Sequence, residues 1–120
     1  MTGPRDLNDL TERVRAFRDE RDWAQFHNPK DLAISIALEA AELLEHFQWK
    51  DEGSIEEGLR NPETLRAVSH EMADVLLLLV SLSDRLGVDL LAAAREKLDL
   101  NAAKYPADTS RGRATKYDQL

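Results

Sequence analysis

The sequence has no cysteine, 5 glycines, 4 prolines and 6% aromatic residues in a length of 120. Without cysteine there are no disulfides, no thiolate metal ligands and no cysteine nucleophile, and the composition fits a reducing compartment. Basic charge is scarce as well. Lys and Arg number 16 against 23 Asp and Glu, a formal net charge of −7. That balance argues against nucleic acid or an anionic membrane surface as a partner, because such binding rests on basic side chains meeting phosphate. Long apolar runs are missing too. The longest strongly apolar stretch, residues 75–82, is interrupted by Ser81 and falls far short of the ~20 residues of a membrane span. The polar start Met1-Thr2-Gly3-Pro4-Arg5-Asp6 predicts no signal peptide. The expectation is one soluble, cytoplasmic domain, whose 42% hydrophobic residues suffice for a single core.

What is present is helical periodicity. Leu7, Leu10, Val14 and Phe17 recur at three- and four-residue steps, one face of a helix that should end near Trp23. Asn28-Pro29 marks a break and a new start, and a second helix is expected from about 31 to 47. Ser54 and Glu57 have capping-box spacing for a short helix ending near Arg60. Pro62 suits the first turn of a third long helix, which Gly87 should close. Asp89 can cap a fourth, terminated by Pro106. β-branched residues are few and hairpin turns absent, so the predicted fold class is all-α, four long helices in a bundle with an extra short one. The expected division is a domain over residues 1–106 and a polar tail over 107–120 holding Arg111, Arg113 and Lys116. The second and third long helices are apolar on more than one face, which predicts homo-oligomerisation.

The acids are not spread evenly. The second helix holds Glu39 and Glu42, the third Glu71 and Asp74. Each pair is spaced i, i+3 and so projects from one side of its helix. Such a pair is common on a solvated helix surface. Here both pairs sit on the most apolar helices of the chain. If these helices are neighbours, four carboxylates converge, and two unit charges ~4 Å apart repel by ~4 kcal/mol at an effective dielectric of 20. The acids must then share protons, spread apart or bind a cation. All-oxygen ligation suits Mg²⁺, with Mn²⁺ as a substitute. A di-iron site fits worse, since Leu43 and Ala67 stand where Glu should precede His46 and His70, and a zincin motif fails because Asp74 replaces its second His. Glu45 extends the first pair by one turn, either as a general base or as a surface residue.

On the fourth helix Lys97, Asn101 and Lys104 fall at i, i+4, i+7 with Tyr105 beside them. This stripe suits a polyphosphate, or else a solvated face with Lys in its last turn. Trp23, Phe26 and His27 precede the second helix and Trp49 follows it. These aromatics could stack on a nucleobase or serve as hydrophobic staples.

Taken in order, these segments resemble a known family. They are Arg21-Asp22-Trp23-Ala24-Gln25-Phe26-His27-Asn28-Pro29, Glu39-Ala40-Ala41-Glu42-Leu43-Leu44-Glu45-His46-Phe47-Gln48-Trp49, Glu71-Met72-Ala73-Asp74-Val75-Leu76 and Lys97-Leu98-Asp99-Leu100-Asn101-Ala102-Ala103-Lys104-Tyr105-Pro106. The chain is similar over roughly residues 7–106 to the MazG-like all-α nucleoside triphosphate pyrophosphohydrolases, and within them to the dCTP pyrophosphatase group. The resemblance implies Mg²⁺-dependent cleavage of the α–β phosphoanhydride of dCTP or a modified dCTP, giving a monophosphate and pyrophosphate. It implies Glu39, Glu42, Glu71 and Asp74 as catalytic metal ligands. It implies Lys97, Asn101, Lys104 and Tyr105 on the phosphates, and Trp23, Phe26, His27 and Trp49 at the base. It also implies a homodimer or homotetramer. Val14 departs from a His found on the first helix of animal members. The alternative reading is a non-catalytic helical module that binds a nucleotide or a partner.

Overall fold

The computed structural model describes residues 3–119, so Met1 and Thr2 of the polar start and Leu120 of the tail lie outside the described residues. Among the described residues there are helices and no strands. The chain divides into two compact units, Met1–Gly87 and Val88–Leu120.

The first unit holds α1 (Leu7–Glu20), α2 (Pro29–Glu45), the short α3 (Glu52–Leu59) and α4 (Pro62–Leu86), with a 3-10 turn at Ala24–Phe26. At 25 residues, α4 is about 37 Å long. The other three helices of this unit pack on it. Its buried residues are few: Leu32 of α2 with Val68 and Val80 of α4, and Ser83 beside them. The Ser83 hydroxyl is satisfied within its own helix by donating to the Val80 carbonyl at 2.8 Å. Many large apolar side chains stay exposed, among them Leu38 at 61%, Met72 at 57% and Leu76 at 42%. Both apolar helices therefore bury one face in the unit and leave another outside it.

The caps follow the chemistry of short polar side chains, which accept the backbone N–H groups a helix start leaves unpaired. Asp6, Asn28 and Asn61 do this for α1, α2 and α4, each of the last two followed by proline. Gly87 closes α4 at φ 68°, a left-handed conformation that glycine adopts without steric cost.

Three boundaries differ from the sequence pattern. The first helix stops at Glu20 rather than near Trp23. Asp22 turns left-handed at φ 54°, and the Trp23 N–H returns to the Arg18 carbonyl at 3.0 Å, a Schellman-type ending that the apolar spacing does not encode. The short helix begins earlier than Ser54, because Asp51 is its cap and accepts the Ser54 N–H at 2.8 Å. That bond holds the Asp51 carboxyl below its ordinary range, so an ionised cap takes precedence over the Ser54–Glu57 box. The second helix ends at Glu45, two residues before Phe47.

The second unit holds α5 (Leu90–Lys104), capped by Asp89 through the Ala92 N–H at 3.0 Å, and a one-turn α6 (Ala107–Ser110). A further 3-10 turn lies at Tyr117–Gln119. Residues after Pro106 thus include regular turns, although they carry no apolar periodicity. No helix of the described residues is long and apolar enough to cross a membrane.

Candidate functional site

α2 and α4 are the most extensively packed pair in the fold, and their contact brings acids together. Glu39 and Glu42 from α2 and Glu71 from α4 each offer a carboxylate oxygen within 4.8 Å of the others. Glu39 and Glu71 are half-buried and Glu42 is exposed. Asp74, one turn beyond Glu71, is outside that group yet near enough for its charge to act on Glu39. The structure therefore gathers three of the four predicted acids tightly and sets the fourth beside them. Glu45 ends α2 as an exposed residue.

The electrostatic consequence falls on Glu39. Its carboxyl is pushed up to about 7, first by the hydrogen bond it shares with Glu42, then by desolvation and by the charges of Glu42, Asp74 and Glu71. Repulsion among unpaired carboxylates raises their affinity for protons. Oxygen Oε2 of Glu39 and of Glu71 is buried without a hydrogen-bond partner, an arrangement that is costly unless something positive meets it. A donor set made only of carboxylate oxygens, some buried and unpartnered, fits a hard divalent cation such as Mg²⁺ or Mn²⁺.

A cavity of about 430 Å³ opens between α1 and α4. Leu10, Val14 and Phe17 of α1 face Leu77 and Leu78 of α4 across it. Trp23 and His27 line it from the turn after α1, while Arg13, Arg18 and Ser81 supply its polar groups. The Ser81 hydroxyl donates to the Leu77 carbonyl at 3.0 Å. His27 Nδ1 is buried without a partner, and Trp23 meets Phe17 edge-on with ring centroids 5.8 Å apart.

Glu71, Asp74, Leu78 and Ser81 follow one another on α4 at steps of three, four and three, which places them on one helix face. The cavity, whose first α4 lining residue is Leu77, therefore begins about 4.5 Å along the helix axis from Asp74. Of the predicted base-side residues, Trp23 and His27 belong to the cavity lining. Phe26 does not, being 62% exposed, and Trp49 stands 94% exposed in the turn after α2 at φ 66°. The apolar α1 face read from the sequence is in part the cavity wall. Its signal is the Leu10, Val14, Phe17 stripe running directly into Trp23.

The predicted phosphate-side residues belong to the second unit. Lys97, Asn101 and Lys104 share a face of α5 by their spacing, and the Tyr105 N–H closes the helix on the Asn101 carbonyl at 2.8 Å. Asn101 is half-buried, and Lys97, Lys104 and Tyr105 are exposed.

Fold and site define an all-α protein with a carboxylate cluster suited to a divalent cation beside an apolar cavity. The family model of the MazG-like family matches residues 34–120. dCTP pyrophosphatase 1 of Homo sapiens is 40% identical over 114 residues, covering 95% of this chain and 67% of that protein. The protein of the same name from Rattus norvegicus matches with the same identity and coverage. The crystal structure of a pyrophosphatase from Archaeoglobus fulgidus superposes with a TM-score of 0.77 at 40% identity, covering 83% of this chain and 92% of that one. The chain belongs to the MazG-like family.

Proposed function

We propose that the chain is a nucleotide pyrophosphohydrolase that cleaves the α–β phosphoanhydride of a nucleoside triphosphate, dCTP or a modified dCTP first, to the monophosphate and pyrophosphate. One observation carries this reading. A single face of α4 holds Glu71 of the acidic cluster, Asp74 at its edge and, one and two turns further, Leu78 and Ser81 of the cavity. A charged phosphate end and a flat apolar base need such neighbouring environments. The similarity to dCTP pyrophosphatase 1 supports the choice of base.

Glu39, Glu42, Glu71 and Asp74 would hold Mg²⁺, or Mn²⁺ in its place. When bound, the ion would neutralise phosphate charge and acidify the attacking water. The repulsion that adds to the Glu42 hydrogen bond and to desolvation in pushing Glu39 up to about 7 would then be relieved. Trp23 and His27 would take the base in the cavity and exclude water from it. Lys97, Asn101, Lys104 and Tyr105 would meet phosphate oxygens. Water attacks the α-phosphorus, the bond to the bridging oxygen breaks, and pyrophosphate leaves. The water's proton passes to a carboxylate, that of Glu39 or of Glu45. Positioning and charge neutralisation are the main demands of this chemistry.

The exposed apolar side chains on α2 and α4 support assembly as a homodimer or homotetramer, and the cysteine-free composition supports a cytoplasmic setting. The deciding experiment incubates the chain with a panel of nucleoside triphosphates and Mg²⁺ and measures monophosphate and pyrophosphate. Equal amounts of the two are expected, greatest with dCTP. Release of orthophosphate alone, or turnover in excess EDTA, would overturn the assignment.

A further inference from the structure

Within the first unit, among the described residues, the long-range side-chain hydrogen bonds converge on Asp84 of α4. Its carboxylate accepts from Arg15 Nη2, from Arg15 Nε at 3.3 Å and from Arg18 Nη1 at 3.4 Å. The Asp84 and Arg18 side chains are only 18% and 19% exposed. An arginine fork on a shielded carboxylate is among the stiffer contacts a protein can make, since the planar guanidinium fixes direction as well as distance.

Arg18 extends this contact to the cavity. Its side chain is part of the cavity wall, and its carbonyl receives the N–H of Arg21 at 3.2 Å and of Trp23 at 3.0 Å. The Arg21 guanidinium lies 3.7 Å from the centre of the Phe17 ring, whose other neighbour is Trp23. A continuous path therefore runs from α4 through Asp84 and Arg18 to the Trp23 turn. Across the cavity itself, apolar side chains of α1 and α4 stand apart, so their packing constrains the separation of the two helices weakly. The ion pairs at the rim constrain it directly.

We propose that Asp84 is a positioning residue for nucleotide selection: through Arg15 and Arg18 it fixes α1 and the Trp23 turn against α4, and so sets the width of the cavity that takes the base. This rests on the reading of the cavity as the base site. Asp84 touches no substrate group in this scheme and acts through the arginines.

The test compares the wild type with Asp84→Asn and Asp84→Glu in the full chain, with dCTP and dATP as substrates. In Asp84→Asn the KM for dCTP should rise roughly tenfold with kcat within about twofold, and the preference for dCTP over dATP should fall by about fivefold or more. Asp84→Glu, which keeps the charge, should restore most of the KM and the preference. A merely structural role would lower the melting temperature and kcat and leave KM and preference unchanged, and that result overturns the proposal. Should Asp84→Asn fail to fold, Arg15→Gln, at a more exposed position, carries the same expectation at smaller size. Failure of the underlying reading is recognisable separately: Trp23→Ala would then leave the KM of the wild type unaltered.

Discussion

Glu39 and Glu42, one turn apart on α2, bring carboxylate oxygens within 4.8 Å of each other. Glu39 is pushed up to about 7, first by hydrogen bonding with Glu42, then by desolvation and the neighbouring acidic charges. Folding therefore raises the affinity of this carboxyl for a proton. A raised acid contributes stability that is fully present below its unfolded value and is lost as pH rises through the folded one. For Glu39 the window lies between its ordinary value of 4.5 and about 7. In EDTA the melting temperature should fall between pH 5 and pH 8 to the extent that this group dominates. Addition of Mg²⁺ at pH 8 should raise it again, through a gain in stability of ~2.7 kcal/mol at an ion concentration 100 times Kd. Thermal melts at both pH values, with and without the ion, check this.

Neutralising the cluster should separate activity from stability. Glu42→Gln, Glu71→Gln and Asp74→Asn should each lower kcat/KM with Mg²⁺ by on the order of 100-fold. Their melting temperatures in EDTA should match or exceed that of the wild type, because a like-charge contact is removed. Pyrophosphate release and melts on the same preparations report both quantities.

Removing the indole at the cavity should weaken substrate capture. Trp23→Ala is expected to raise the KM for dCTP by roughly 5- to 150-fold, the range of one lost base–aromatic stack of ~1–3 kcal/mol. Phe26→Ala should change it little, since that ring is 62% exposed and outside the cavity lining. Steady-state kinetics on the two variants checks the contrast.

The core of the first unit is small, so each buried residue counts. Val80 has no exposure, and Val80→Ala should cost ~2–3 kcal/mol through lost burial and an unfilled void. The measurement is the denaturant midpoint, with the slope unchanged.

Assembly should respond to the exposed faces. Leu38→Glu or Met72→Glu is expected to shift the protein from dimer or tetramer towards monomer in sedimentation equilibrium. A wild type that sediments as a monomer at micromolar concentration would end this expectation.

Much of the fold is legible because it is local. Asn28-Pro29, Asn61-Pro62, Gly87 and Asp89 act on the backbone groups next to them, so their meaning needs no partner. The i, i+3 acids are equally local, and their common side follows from helix geometry alone. The end of α1 is less legible, because Asp22 in a left-handed turn has the same spelling as Asp22 in a helix. The short helix misleads for a related reason: Ser54 and Asp51 are both good caps, and only the observed bond to the Ser54 N–H chooses between them.

The sequence by itself determined the helical class, the chain breaks and the residue types able to hold a divalent cation, since these depend on neighbours within a turn or two. Only the tertiary structure decided which carboxylates meet. It closed Glu39, Glu42 and Glu71 into one group with Asp74 at its edge, and it left Trp49 facing out while Trp23 turned to a cavity. It also joined Arg15 and Arg18 to Asp84 across 69 and 66 residues of chain. Periodicity fixes the face on which a side chain sits, but the neighbour opposite that face is set by the packing of distant helices, and charge repulsion, burial and cavity width all depend on that neighbour.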